Sequence, residues 1–272
     1  MSRVYEALQQ SSGTEVYSTD GPITNLPFLK EFDNRNLDLE SAPHLEPQLT
    51  SNHRLQPLLD RHSFVSEQLR YLGAQLEQLR QTRQLRTVLI TSSVAEEGKT
   101  VVAASLALSL AQNGKKVLLL EGDLRTPSQC RIFGLEPRPG LAEWCRSAQA
   151  PTDFLFQVGD LGIWLLPAGL ETKNPLDILS SQRMPDLLPE VSRVFDWVLV
   201  DSSPVLPMAD TGVLSHLCDG VLFVIRSHKT QKSALKQALA RLEQSKLLGF
   251  VLNDFPGLNQ YGYDRYYKKI HK

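Results

Sequence analysis

The residues whose types and spacing could do chemistry begin with a short loop at positions 93–100, which reads SVAEEGKT. A Gly-Lys-Thr ending between an apolar run and a helical pattern is typical of a loop that binds nucleotide phosphates. Backbone N–H groups at the start of the following helix face the phosphates, and the helix dipole favours their negative charge. Lys99 is expected to reach the β and γ phosphates, and the Thr100 hydroxyl is expected to hold Mg²⁺. The usual first glycine of such a loop is Ser93 here, so the motif alone does not decide the function.

Acidic residues follow two apolar runs further along the chain. Glu121 and Asp123 come after one run, VLLL, and Asp201 comes after the other, VLV. A carboxylate at the end of a buried strand, beside a phosphate-binding loop, is where Mg²⁺ is held directly or through water. We therefore predict that Asp201 and Asp123 bind the metal together with Thr100. Taken alone, either run could equally mark the point at which a strand leaves the core.

The elements that would position these residues alternate between short apolar runs and helical patterns. The predicted strands cover residues 87–91, 116–121, 161–167, 197–201, 220–226 and 248–253. The predicted helices cover residues 99–112, 126–133, 140–148, 175–194, 208–217 and 230–245. Continuous apolar strands that alternate with helices predict an α/β fold, with a parallel sheet covered by helices on both faces. In such sheets ligands bind beyond the carboxyl ends of the strands, where the loop and the acids all fall.

The chain divides into three regions by composition. Residues 1–62 are predicted to form a short helix over 1–10 and then an extended, proline-interrupted, mostly disordered linker, whose first turn could serve as a docking arm. Residues 63–255 form the predicted folded domain, which opens with a helical pattern over 63–86. Residues 256–272 form a tail rich in tyrosine.

Composition argues against several classes of function. The net charge of −1 over 272 residues gives no case for binding nucleic acid or an anionic membrane directly. Three cysteines without paired spacing indicate a reduced, cytoplasmic environment. No window approaches the roughly 18 consecutive apolar residues of a spanning helix, and no secretory signal opens the chain. If the protein works at a membrane, we expect a partner to recruit it.

With the loop and both acidic runs in order, the chain resembles the bacterial tyrosine kinases (BY-kinases) that control capsule and exopolysaccharide synthesis. The matching segments are TSSVAEEGKT (91–100), LLLEGDLRTP (118–127), NPLDILSS (174–181), VLVDSSP (198–204) and DGVLFVIRSHKT (219–230). The resemblance implies a P-loop NTPase-like fold, similar to that of the partition and septum-site ATPases. It also implies ATP and Mg²⁺ as cofactors and tyrosine as the phosphoryl acceptor.

The resemblance assigns roles to individual residues as well. Lys99, Glu121 and Asp123 are implied to be catalytic, with Glu121 at the position of the catalytic base. Contacts to the nucleotide are implied for Ser93, Val94, Ala95, Glu96, Glu97, Gly98, Lys99, Thr100, Val101 and Asn253. Asn253 follows the last predicted strand, where an amide that both donates and accepts would suit the edge of adenine. A turn residue at the end of a strand is the equally weighted alternative for Asn253.

Four of the seven tyrosines lie in the tail, at Tyr261, Tyr263, Tyr266 and Tyr267. The resemblance implies an autophosphorylation cluster that is presented to the active site of a neighbouring subunit. A phenol with a pKa of about 10 is a poor nucleophile at neutral pH, so a carboxylate must accept its proton. The alternative is a partly ordered tail whose aromatic rings rest on the domain surface.

Phosphorylation by a neighbour requires self-association. The family forms rings through a Glu-x-x-Arg-x-x-Arg helix, and here Glu67 and Arg70 match while Gly73 replaces the final arginine. Without the family, Glu67 and Arg70 would be a solvated helix pair worth about 0.3 kcal/mol. The resemblance further implies a membrane polysaccharide chain-length or co-polymerase protein as activator, recruitment to the inner face of the plasma membrane, and a phosphotyrosine phosphatase.

Two departures from the family bear on activity. Glu121 stands where the family has Asp, and its extra methylene moves the carboxylate by about 1.5 Å. Glu96 stands where the loop usually has glycine, so it carries a steric cost if the position needs a positive φ. Two alternatives therefore stay open: a nucleotide-binding scaffold or switch with weak or no kinase activity, and a partition-type or septum-site ATPase. The latter would carry an additional lysine near the start of the loop, where this chain has Ser92, Ser93 and Val94.

Overall fold

The computed structural model describes residues 39, 42–49, 55, 56, 60, 61, 63–170 and 173–254. The strands in these residues are β1 (His44–Leu45), β2 (Thr87–Ser92), β3 (Val117–Glu121), β4 (Phe156–Val158), β5 (Ile163–Leu166), β6 (Trp197–Asp201), β7 (Gly220–Arg226) and β8 (Leu247–Asn253). They form one sheet in the order β1-β4-β5-β3-β6-β2-β7-β8. Neighbouring strands are parallel, except that β4 and β5 pair antiparallel.

Helices of varied length connect these strands. The helices in the described residues are α1 (Phe64–Thr82), α2 (Lys99–Gln112), α3 (Gln129–Ile132), α4 (Leu141–Arg146), α5 (Pro175–Leu179), α6 (Met184–Ser192), α7 (Asp210–Leu217) and α8 (Lys232–Leu239). Short 3-10 turns lie at Pro151–Phe154, Gly159–Leu161 and Gln244–Lys246.

The central strands are buried along their whole length because each is a continuous apolar run. In β3, Leu118 and Leu120 pack into one apolar cluster and Leu119 packs into another. Successive side chains of a strand point to opposite faces, so both faces of the sheet are covered. The predicted α/β fold with a sheet buried on both sides is confirmed, and the sheet is mostly parallel rather than wholly so.

Helices α1 and α2 pack together on one face of the sheet. Ser63 starts α1 by accepting a hydrogen bond from the backbone N–H of Ser66 at 3.1 Å. Gly73, which stands where the family has its final arginine, faces α2. A Cβ at Gly73 would lie 3.2 Å from Cδ2 of Leu110, so the missing side chain allows the two helices to approach closely. The glycine therefore serves the packing that positions α2 and the loop before it.

Several predicted elements differ from the structure. The helix predicted at 175–194 is broken into α5 and α6, and the one predicted at 230–245 ends at Leu239, after which the chain turns so that Leu242 returns to the core. The helix predicted at 126–133 keeps only α3, because Ser128, with a φ of −150° and a ψ of −1°, lacks helical backbone angles. Strands β1 and β4 were not predicted.

Some predictions concern residues that the structure does not describe. The tail at 256–272, with Tyr261, Tyr263, Tyr266 and Tyr267, lies outside the described residues, as does most of the arm at 1–62. In the part of the chain that is described, no helix combines the length and the apolar character needed to cross a membrane.

Candidate phosphate and metal site

The carboxyl edge of the sheet brings the predicted loop and acids together. The loop at 93–100 connects β2 to α2, and β2 pairs with β6. Strand β6 also pairs with β3, with Asp201 opposite Glu121. Because parallel strands end at the same edge of a sheet, the loop and both acidic segments face one region.

Glu97 holds the phosphate loop in shape from within. Its Oε2 accepts hydrogen bonds from the backbone N–H groups of Ser93 at 2.7 Å and Val94 at 3.1 Å. The hydroxyl of Thr230 donates to the other oxygen, Oε1. Burying a carboxylate is costly unless donors surround it, and Glu97 is buried with such donors. Two N–H groups at the start of the loop are therefore engaged within the protein.

Glu96 has the backbone conformation in which a non-glycine residue is strained. Its φ is 65°, and its side chain is exposed. Such a conformation costs on the order of 1 kcal/mol, and it persists only where the surroundings impose it. Arg226 supplies part of that constraint, because its Nη1 donates to the Glu96 carbonyl at 3.1 Å while the same guanidinium pairs with Asp254 at 2.9 Å.

Asn253 lies against the end of the same loop. Its Nδ2 donates to the carbonyl of Glu97 at 3.0 Å. Gly98 has a φ of 92°, and a Cβ at this position would lie only 2.0 Å from that nitrogen. Glycine is required here on both counts, because larger residues disfavour positive φ and would collide with the amide. The contact of Asn253 with adenine stays a prediction.

Lys99 and Asp123 form an ion pair at the start of α2. The Lys99 Nζ lies 2.9 Å from Asp123 Oδ2, and the Lys99 side chain is 12% exposed. Thr126 donates to Asp123 from its backbone N–H and its hydroxyl, and Ser203 donates from its hydroxyl at 2.9 Å. Burial by itself would raise the pKa of Asp123, but the charge and hydrogen bond of Lys99 lower it below its usual value. Asp123 is therefore an ionised, fully surrounded carboxylate.

Asp201 is buried with one oxygen unpaired. Its Oδ2 accepts a hydrogen bond from Gln129 Nε2 at 3.0 Å, whereas Oδ1 has no hydrogen-bond partner in the described part of the chain. Burial raises the pKa of Asp201 to about 7, and the charge of Lys99 and the hydroxyl of Thr100 oppose this rise. A buried acceptor without a partner is uncommon and calls for a cation or a donor from outside the chain.

The donor set around Asp201 fits Mg²⁺ better than a metal held by protein alone. No group of three or more His, Cys, Asp or Glu residues in the described ranges could form a metal cage. Mg²⁺ usually keeps several waters and is held by one or two carboxylates plus substrate phosphates. The free Oδ1 of Asp201, beside the hydroxyl-bearing Thr100 and the phosphate loop, matches that pattern.

Glu121 is fixed by backbone donors. Its Oε1 accepts from the N–H groups of Ser128 and of Gln129, the latter at 2.7 Å, and its Oε2 accepts from the N–H of Ala168 at 3.2 Å. Burial raises the pKa of Glu121, and these hydrogen bonds oppose the rise. Glu121 also lines a cavity of about 450 Å³ that is walled by Pro127 and other residues of the following loop. It thus anchors the chain that follows β3 while bordering open space; its action as a base stays a prediction.

The remaining predicted residues occupy two places. Ser93 is buried, Val94 and Ala95 are exposed on the loop, and Thr100 and Val101 belong to the first turn of α2. Glu67 and Arg70 lie on α1 as a partly exposed pair 3.7 Å apart, as expected for neighbours on a helix surface.

The prediction missed three side chains that shape the site. Ser203 and Thr230 both lie inside segments that carried the resemblance, so their hydroxyls could have been considered. Gln129 had no comparable signal, because it lies outside the segments that carried the resemblance.

A family model and known proteins match this chain. The model described as the CobQ/CobB/MinD/ParA nucleotide binding domain matches residues 88–269. The tyrosine-protein kinase YwqD of Bacillus subtilis (strain 168) is 36% identical over 206 residues, which cover 74% of this chain and 86% of YwqD. The succinoglycan biosynthesis transport protein ExoP of Rhizobium meliloti (strain 1021) is 29% identical over 223 residues, covering 75% of this chain and 28% of ExoP.

Solved structures agree with these matches. The kinase domain of the Escherichia coli tyrosine kinase ETK superposes with a TM-score of 0.69 at 26% identity. The superposition covers 76% of this chain and 82% of that domain.

Proposed function

The chain belongs to the bacterial tyrosine kinases, within the CobQ/CobB/MinD/ParA nucleotide-binding domain family, and on this premise we propose that it is an ATP- and Mg²⁺-dependent protein-tyrosine autokinase. We propose further that it regulates capsule or exopolysaccharide synthesis and export, a setting supported by its similarity to ExoP. The scaffold with weak or no kinase activity is not favoured, because a relative that the chain nearly spans is named a tyrosine-protein kinase.

One observation carries the proposal. The loop between β2 and α2 brings a charged amine, Lys99, to the same sheet edge as a buried carboxylate, Asp201, that keeps a free oxygen. Phosphoryl transfer depends mainly on positive charge near the phosphates and on a ligand for the metal. The arrangement therefore suits ATP chemistry.

Each side chain then has a defined task. Thr100 and Asp201 would hold the metal, Asp123 would support it from the other side by fixing Lys99, and Mg²⁺ would neutralise phosphate charge. Lys99 lies within reach of Asp123 and Thr100, at 2.9 and 3.4 Å, so it would offset phosphate charge without leaving its ion pair. Backbone N–H groups of residues 95–101 would bind the phosphates, since Glu97 holds the N–H groups of Ser93 and Val94, and Asn253 would contact adenine.

The acceptor tyrosine must lose a proton as its oxygen attacks phosphorus. Its hydroxyl pKa of about 10 keeps it protonated at neutral pH, so a base must lie nearby. Glu121 is the proposed base, because burial raises its pKa and thereby its basicity, and because it borders a cavity of about 450 Å³. The acceptors are proposed to be Tyr261, Tyr263, Tyr266 and Tyr267 of a neighbouring subunit.

Partners complete the proposal. Self-association would use the α1 surface that carries Glu67 and Arg70. A membrane polysaccharide chain-length or co-polymerase protein would activate the kinase and recruit it to the inner face of the plasma membrane. A phosphotyrosine phosphatase would reset the tail.

Phosphosite mapping tests the proposal directly. The purified chain is incubated with ATP and Mg²⁺, alone and with the cytoplasmic segment of a membrane partner, and phosphotyrosine is located by mass spectrometry. We expect modification within residues 261–267 and its loss in Lys99→Met, which keeps the length of the side chain but removes the charge. Absence of phosphotyrosine there under every condition would overturn the kinase proposal.

A further inference from the structure

Gln129 lies just after the segment at 118–127 that carries Glu121 and Asp123, and it is fully buried. Its hydrogen bonds connect three parts of the site. Its backbone N–H donates to Glu121 Oε1 at 2.7 Å. Its side-chain Nε2 donates to Asp201 Oδ2 at 3.0 Å and to the carbonyl of Thr100 at 3.3 Å. One residue therefore links the end of β3, the end of β6 and the first turn of α2.

The orientation of this amide follows from its neighbours. Asp201 Oδ2 in its ionised form and the Thr100 carbonyl are both acceptors, so only the nitrogen end of the amide can face them. The carbonyl end, Oε1, then points away from both. It is buried and has no hydrogen-bond partner among the described residues.

Two unpaired acceptors thus occur on hydrogen-bonded side chains, Oε1 of Gln129 and Oδ1 of Asp201. A buried acceptor without a donor is unfavourable, and two on adjoining side chains are more so for the protein alone. A divalent cation bound at Oδ1 of Asp201 would relieve that oxygen, because the metal attracts the carboxylate.

We propose that Gln129 is a positioning residue for the metal: it holds Asp201 by Oδ2 so that Oδ1 is presented to Mg²⁺. This deepens the proposed function and rests on it for the presence of Mg²⁺-nucleotide. Residues that orient a metal ligand commonly affect metal affinity by about 10- to 100-fold when changed.

A solely structural role would leave a different signature. The backbone N–H of Gln129 holds Glu121 whatever the side chain is, so the link to β3 survives substitution. The side-chain amide, in contrast, donates its hydrogen bonds within the described residues to the Asp201 carboxylate and the Thr100 backbone. Changing the amide should therefore affect dependence on the metal and leave binding of metal-free nucleotide in place.

The test measures nucleotide binding instead of phosphorylation. Binding of a fluorescent ADP analogue to the full chain is titrated with Mg²⁺ and, separately, in EDTA. Gln129→Met keeps the length of the side chain and removes both polar atoms. Gln157→Met makes the same chemical change on β4, away from the three carboxylates, and serves as the matched control.

For Gln129→Met we expect the Mg²⁺ concentration at half-maximal binding to rise by roughly tenfold or more, with affinity in EDTA unchanged. Gln157→Met should match the wild type in both titrations. Unaltered Mg²⁺ dependence in Gln129→Met would overturn the proposal, and so would an equal loss of affinity with and without Mg²⁺. This readout does not involve tyrosine, so failure of the kinase proposal would leave it interpretable.

Folding of the variants is checked by circular dichroism and thermal unfolding. If Gln129→Met does not fold, Gln129→Ala, which removes the amide without adding an apolar sulfur, takes its place in the same titrations. If neither variant folds, Gln129 acts in folding instead of in holding the metal ligand, and the proposal is overturned.

Discussion

The ends of β3 and β6 both carry buried aspartates, yet their surroundings differ sharply. Asp123, just beyond β3, receives donors from Lys99, Thr126 and Ser203. Asp201, at the end of β6, is paired at Oδ2 only. The pKa of Asp123 is lowered by Lys99 despite burial, whereas burial raises the pKa of Asp201 to about 7. Burial is common to both, so the supply of donors decides which carboxylate is a fixed anchor and which is available to a cation.

The largest loss of stability in this comparison is expected from Asp123→Asn. The change keeps the shape of the side chain but leaves the mostly buried Lys99 ammonium without its ion-pair partner. Breaking a buried ion pair from one side costs about 3–5 kcal/mol. We expect the free energy of unfolding, measured by urea titration at neutral pH, to fall by about 3 kcal/mol. The exposed Asp160, changed to Asn, is the matched control and should leave it unaltered.

The contribution of Asp123 to the free energy of unfolding should depend on pH in a defined direction. The folded-state pKa of Asp123 is lower than 3.8, so its contribution is present above pH 3.8 and is lost as pH falls through the folded value. The difference in stability between wild type and Asp123→Asn should therefore close in acid. A difference that stays constant down to the lowest pH at which the protein folds would show that the charge is not the cause.

Asp201→Asn should have the opposite effect on stability. The folded-state pKa of about 7 exceeds the usual 3.8, so in the absence of metal this residue destabilises the fold increasingly as pH rises from 3.8 to about 7. The neutral amide avoids this, and we expect the free energy of unfolding in EDTA at pH 8 to rise by up to about 4 kcal/mol. The gain should vanish near pH 4, while Mg²⁺-dependent binding of ADP is lost.

A fall in stability would instead place Asp201 in the same class as Asp123. Measuring both variants in the same buffers, with and without Mg²⁺, makes the contrast direct. Added Mg²⁺ should stabilise the wild type with ADP and leave Asp201→Asn unchanged, because the variant lacks the carboxylate oxygen that the metal would use.

Glu121→Asp tests why this position carries glutamate instead of the aspartate of the family. The glutamate either holds the segment after β3 through its hydrogen bonds or is only a longer side chain at the position of the base. The shorter side chain withdraws the carboxylate by about 1.5 Å, which takes it beyond hydrogen-bond distance of Gln129 and Ala168. Leaving these buried N–H groups unpaired should lower the free energy of unfolding by about 2 kcal/mol. Glu136→Asp, at an exposed position, is the control. A variant that keeps its stability and gains autophosphorylation would show that the extra methylene serves no anchoring purpose and only slows the kinase.

The contrast between Asp123, which is held by several donors, and Asp201, which keeps a free oxygen, shows where prediction from sequence succeeds. Lys99, Asp123 and Asp201 could be placed together because continuous apolar runs predict parallel strands, and such strands end at one edge. The same reasoning missed β1 and β4, which are too short to carry a pattern. It also missed Gln129, because which donor meets which carboxylate depends on the path of the segment after β3 and not on periodicity.

The smallest expected effect concerns the phosphate loop at 93–100, which faces the ends of β3 and β6. Like Asp123, this loop is held in place by several hydrogen bonds from side chains. Glu97, Asn253 and Arg226 hold it, and Glu96 bears the strain with a φ of 65°. Glu96→Gly should raise the free energy of unfolding by about 1 kcal/mol, because glycine adopts this conformation without steric cost. Glu96→Ala removes the carboxylate but keeps the Cβ, so it should not reproduce the gain.

Equal gains in both variants would trace the cost to carboxylate charge instead of backbone strain. A change in ADP affinity in Glu96→Gly would show that the Glu96 side chain sets the shape of the loop, and not the hydrogen bonds from Glu97, Asn253 and Arg226.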